Sequence, residues 1–165
     1  MALLLERARR LLPGLWAGWL LCVALLATPA VFSQLSGEEA GRLVGRMLAQ
    51  EAYTSLGLAV LLLALERLAT RSVSDSGSES QFSVGVVLAL GALFCTVAGY
   101  FGIQPMMSAA RVGQGAFSFG QLHAASALFY VIKSALVLAL AFKCATASTR
   151  FNSTPMGMSN LFCAK

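Results

Sequence analysis

The chain of 165 residues is 58% hydrophobic and 12% charged, about half the charge of a soluble domain, where roughly 25% is usual. Its net charge of +5, from 12 Lys and Arg against 7 Asp and Glu, is spread thinly beside apolar runs with no aromatic interleaving. That pattern argues against a nucleic-acid partner and for a polytopic membrane protein whose basic residues set its topology and whose chief partner is the lipid bilayer.

A membrane-crossing helix needs ~20 mainly apolar residues. Residues 1–10 read as a cytoplasmic N-terminus, followed by a first span over 11–35, "LLPGLWAGWLLCVALLATPAVFSQL". Arg7, Arg9 and Arg10 with the small residues of "ATPA" resemble a leader. The apolar run is longer than a leader needs, and Trp16, Trp19 and Phe32 are suited to interface anchoring, so a permanent span is expected.

"SGEEAGRLVGRMLAQ" follows. Ser36 and Glu39 have capping-box spacing, and Ala40, Leu43, Val44, Met47 and Leu48 share one helical face. This predicts a short amphipathic helix on the outer surface that runs into the second span, 49–68, with Glu38 and Arg42 spaced to pair. The polar "TRSVSDSGSESQ" reads as a flexible linker. The third span covers 82–103, and Pro105 is expected to kink or end it. The segment "QPMMSAARVGQGAFSFGQ" then leads along the surface to the fourth span, 122–143. Residues 144–165 are too polar for a fifth crossing and read as a cytoplasmic tail. The fold class expected is all-α, a four-transmembrane-helix bundle over 11–143.

Loop charge fixes the expected orientation. With the N-terminus inside, Arg7, Arg9, Arg10, Arg67, Arg71, Lys143, Arg150 and Lys165 are cytoplasmic, against Arg42, Arg46 and Arg111 outside. Both termini should face the cytoplasm of a bacterial inner membrane. The sequon at Asn152 is then a sequon by letter alone. No segment outside the bilayer exceeds ~25 residues, too short for a separate catalytic domain.

The fourth span carries the chemistry. His123, Ser126, Tyr130, Lys133 and Ser134 fall within a sector of about 100°, and the rest of the helix is Ala, Leu, Val, Ile and Phe. A lysine at mid-span costs ~2.5–3.5 kcal/mol to insert. Lys133 lies ~15 Å from either end of the run, too deep for full snorkelling. The stripe should therefore face the bundle interior. Candidate partners are Thr96 and Tyr100 on the third span, Thr54 and Ser55 on the second and Thr28 on the first. Glu51, placed near the outer end of the second span, is at a depth suited to His123 rather than Lys133, so no simple ion pair for Lys133 is evident. Gly14 and Gly18, and Gly85, Gly91 and Gly99, mark sites of close helix approach.

Met106, Met107 and His123 form a weak soft-metal set on the outer side, with Met156, Met158 and Cys163 in the tail. Cys22, Cys95, Cys144 and Cys163 have no CxxC spacing and read as free thiols, so neither a disulfide framework nor a zinc site nor any cofactor is expected. No nucleophile–base pair or carboxylate cluster is visible, which argues against an enzyme.

The order of "GLWAGWLL", "TPAVFSQL", "AGRLVGRM", Tyr53, "IQPMM" and "FGQLHAAS" resembles a bacterial domain-of-unknown-function family related to the eukaryotic transmembrane protein 205. The resemblance covers about residues 11–143. It implies a four-helix integral membrane protein without an agreed activity. The eukaryotic relative's link to platinum-drug resistance brings no mapped site. Two function classes follow: a structural or interaction role, as a homo-oligomer or with other membrane proteins, and a small transporter or channel for a proton, ion or soft metal along the stripe.

Overall fold

In the computed structural model, residues 2–73 and 84–152 are described, with side chains over 7–68 and 84–146. The linker residues 74–83, and the tail residues Met156, Met158 and Cys163, lie outside them. Every regular element among the described residues is helical.

Four helical stretches are long and apolar enough to cross a membrane: Arg7–Gln34, Gly37–Leu68, Val84–Arg111 and Phe119–Thr146. The first is built from α1 (Ala2–Leu21), a π-helical turn (Cys22–Ala27) and α2 (Thr28–Gln34). The second is α3 (Gly37–Val73). The third repeats the design of the first, with α4 (Val84–Thr96), a π-helical turn (Val97–Gly102) and α5 (Ile103–Arg111). The fourth is α6 (Phe119–Asn152).

Pro105 lies inside α5 and does not end the third span. The reason is local. A proline has no N–H to give the carbonyl four residues back, and the wider turn immediately upstream changes the hydrogen-bond register before that loss is felt. Pro29 in α2 stands in the same relation to the first π turn. There Thr28 donates its hydroxyl to the carbonyl of Val23 at 2.8 Å, which supplies a partner within the altered ladder.

The amphipathic stretch after Ser36 is continuous with the second span. Ser36 donates its hydroxyl to Glu39 at 2.9 Å and its carbonyl accepts from the Ala40 N–H, so the helix starts at Gly37 and runs unbroken through Glu51. This start lies about twelve residues ahead of the span boundary expected at 49, and it changes the depth of everything on α3.

At the other turn, α5 closes in a Schellman arrangement. Gln114 N–H reaches the carbonyl of Ala109 and Gly113 N–H that of Ala110, with Gly113 at φ 73. Only a residue without a Cβ takes this left-handed position freely. Ser118 and Gln121 then form a reciprocal capping box that opens α6: Gln121 N–H to Ser118 Oγ at 3.3 Å, and Ser118 N–H to Gln121 Oε1 at 3.0 Å. The "SFGQ" spacing was a signal for it that sequence reasoning missed.

The spans form a ring in chain order. α1 packs on α3, α3 on α4, α4 on α6, and α6 back on α1. The buried cluster of Trp16, Leu20, Ala59, Leu62, Ala92 and Val137 fills the middle. Gly99 sets one close approach, since a Cβ there would come within 2.7 Å of Phe129 Cβ, and at Gly91 a Cβ would meet only the flexible end of Leu136 at 3.0 Å. Gly14 and Gly18 meet nothing within 4 Å. Their GxxxG spacing is not used inside this bundle.

Candidate functional site: a buried ion pair across the bundle

α3 and α6 are diagonal in the ring. Across that diagonal, the Lys133 ammonium donates to both carboxylate oxygens of Glu51, each at 2.8 Å. Lys133 is 3% exposed and Glu51 2%. The placement of Glu51 beside His123 is thus corrected. With α3 beginning at Gly37, Glu51 lies ~21 Å along it at 1.5 Å per residue, level with the centre of α6.

Both charges are embedded in further contacts. Ser55, one turn beyond Glu51, donates its hydroxyl to Glu51 Oε1, and Trp16 Nε1 donates to Ser55 Oγ at 2.9 Å. Trp16 and Ser55 are fully buried. The Lys133 nitrogen stands 4.7 Å from the centre of the Tyr130 ring, a cation–π contact that occupies the face left open by the carboxylate. The Tyr130 hydroxyl donates to the carbonyl of Leu20 at 2.9 Å, just ahead of the first π turn. One connected set therefore joins the first, second and fourth spans. Among the described residues, the one buried side-chain polar atom without a hydrogen bond is Arg9 Nε, at the opposite end of the bundle from the turns at 35–36 and 112–118.

The predicted stripe divides in use. Tyr130 and Lys133 are in the network. Ser126 donates to the carbonyl of Gly99, inside the second π turn, at 3.3 Å. Ser134 turns back to the carbonyl of Tyr130 on its own helix at 2.9 Å. His123 is exposed and does not face inward. It shares the sector of Tyr130 and Ser134 but lies one turn from the start of α6, and it stacks on Phe119 with ring centres 6.0 Å apart.

Of the expected partners, Glu51 and Ser55 belong to the site. Thr96 is buried but spends its hydroxyl on the carbonyl of Ala92 in its own helix. Tyr100 is elsewhere, edge-on to Tyr53 and Phe101. Thr28 and Thr54 bond within their own helices. Trp16, expected as an interface anchor, is instead fully buried and joins the site through Ser55. Met106, exposed on α5, and Met107, half-buried, lie on a helix that ends before His123 begins its own. Among the described residues no group of three His, Cys, Asp or Glu converges.

A second ion pair ties the first and second spans at the other end, Arg9 to Glu66 at 2.7 Å, with both side chains over a quarter exposed. Partly exposed pairs of this kind stabilise little. The buried pair is the site's distinguishing feature.

The fold and this site define a multi-pass helical membrane protein with a charge pair locked across its core. The chain belongs to the family described as a domain of unknown function, DUF4149, whose family model matches residues 11–116. That stretch contains Trp16, Glu51 and Ser55 but ends before Lys133 and Tyr130. No curated protein and no solved structure matches the chain.

Proposed function

We propose that this chain is a non-enzymatic protein of the bacterial inner membrane, with both termini cytoplasmic and a structural or interaction role, and that the Lys133–Glu51 pair is a permanent cross-brace. The observation that carries this reading is the saturation of the pair. Each ammonium and carboxylate contact is met by a protein group, and the groove at Arg42 and Arg111 and the groove at Ile103 and Gln121 are not lined by Lys133 or Glu51. A charge that serves transport has to exchange its partner for water or solute. One held by two carboxylate oxygens and an aromatic face is a strut.

The family's kinship with the eukaryotic transmembrane protein 205 is part of the same proposal, supported by the ordered motifs from "GLWAGWLL" to "FGQLHAAS". A role in the membrane also needs a partner, a second copy or another membrane protein. The bundle offers it long apolar faces, with Leu11, Leu15, Leu25, Phe94, Val131 and Phe142 exposed.

The competing reading is a small transporter or channel for protons, ions or a soft metal. Flux in proteoliposomes decides between them. Purified full-length protein should give proton, potassium and copper(I) permeability equal to that of protein-free vesicles. Flux that Lys133→Met removes, with folding retained, would replace the brace by a pathway.

A further inference from the structure

The loop-charge count leaves three basic residues on the side of the bundle that should carry few: Arg42, Arg46 and Arg111. All three line one groove of about 330 Å³, between the first turns of α3 and the end of α5. The groove exists for two reasons. α5 packs on α6 and not closely on α3, so the two helices part above the edge-on contact of Tyr53 with Tyr100. On the α3 wall, Gly41 and Gly45 stand one turn apart, and a Cβ at either would meet nothing within 4 Å.

The lining holds no carboxylate. Among the described residues, neither Arg42 nor Arg46 is paired with an acid: Glu39 is engaged by Ser36, and Glu38, though four residues from Arg42, is not joined to it. Arg111 rests over the Phe119 ring at 4.9 Å and, among the described residues, is not paired with a carboxylate. Tyr100 and Gln104 add neutral donors to the wall. Three guanidinium groups with neutral donors lining one recess supply the charge and the N–H donors that a phosphate group takes. The recess also lies at the end of the bundle that carries the turns at 35–36 and 112–118, the end where a chain that crosses a bilayer four times meets lipid headgroups.

We propose that this groove binds a phosphate group, supplied by an anionic phospholipid at the bilayer surface. The proposal is independent of the brace, since it shares no residue with it. Its test is native mass spectrometry of the full chain in detergent, titrated with phosphatidylglycerol, phosphatidylcholine or inorganic phosphate. Phosphatidylglycerol adducts should form preferentially over phosphatidylcholine. They should weaken at least about tenfold in the double variant Arg42→Gln with Arg46→Gln, the loss of one or more charge-assisted hydrogen bonds. Gly45→Leu should do the same while keeping every charge, because it fills the recess, and its helix should form at least as well. Arg7→Gln, an exposed arginine at the opposite end, should change nothing. Displacement of the lipid by inorganic phosphate would assign the site to a soluble anion of the same chemistry. Equal adducts with the two lipids, or adducts that survive Gly45→Leu, would overturn the proposal.

Discussion

Glu51 and Lys133, 82 residues apart in the chain, are joined through two hydrogen bonds of 2.8 Å across the diagonal of a four-helix ring. Neighbouring helices in such a ring hold each other by side-chain packing. Diagonal helices are too far apart for that, and two long side chains with complementary charges span the gap. The pair thus fixes the one dimension of the bundle that apolar contacts leave soft, and the Tyr130 hydroxyl on Leu20 ties the same assembly to α1.

Breaking the pair on one side should cost far more than replacing it. A lone buried charge is destabilising by about 3–5 kcal/mol, whereas a well-packed apolar substitute for both partners is often neutral. Glu51→Leu and Lys133→Met should each destabilise the protein by about that amount, and the double variant should recover to within about 1 kcal/mol of the parent. Ser55→Ala should fall between, about 1–3 kcal/mol, because it leaves the Trp16 N–H unpaired and removes a donor from Glu51. Thermal unfolding in detergent gives all four values. Additive losses in the double variant would show that the two residues do not act on each other.

How much of this was legible in the sequence follows from what each signal encodes. Apolar run length predicts four spans because the bilayer imposes it, and the 3.6-residue period predicts that Lys133 turns inward. The partner was misplaced because depth was reckoned from a span starting at 49. Helix start signals at Ser36 and Glu39 were read, but not carried through to the registration of Glu51. His123 lies within the same sector, between Tyr130 and Ser134, and periodicity alone does not say where along the helix packing stops. The π turns have no residue signature of their own. Pro29 and Pro105 are their nearest marks, and Pro105 alone suggests a kink or an end.

Glycine positions give a second, independent check on the packing. Gly99→Ala brings a Cβ to 2.7 Å from Phe129 Cβ, an atom fixed to the α6 backbone. Relief needs a shift of the helix itself, at a cost of about 1–3 kcal/mol, and would strain the Ser126 bond to the Gly99 carbonyl. Gly14→Ala meets nothing within 4 Å and should be neutral or stabilising by up to about 1 kcal/mol, the ordinary helix preference of alanine. Unfolding temperatures of the two variants in the same detergent should move in different directions. A larger loss at Gly14 would point to an assembly built on the GxxxG face of α1.

Orientation in the membrane is the remaining consequence of the charge pattern. Clustered at one end are Arg7, Arg9 and Arg10 before the first span, Glu66 and Arg67 at the foot of the second, and Lys143 at the foot of the fourth. The Arg9–Glu66 pair confirms that the first two of these clusters occupy the same end of the bundle. Lys and Arg near span ends are held on the cytoplasmic side during insertion, and acidic residues counteract them little. A periplasm-dependent reporter such as alkaline phosphatase, inserted in the turn at Gly115, should therefore be active, and one joined after Leu68 should be silent. Replacing Arg7, Arg9 and Arg10 together by Gln removes the strongest cluster ahead of the first span while Arg42, Arg46 and Arg111 persist on the other side. That variant should show mixed reporter activity at both sites. Unchanged, single-sided activity would mean that the later charges at that end, Arg67 and Lys143 among them, suffice to orient the chain.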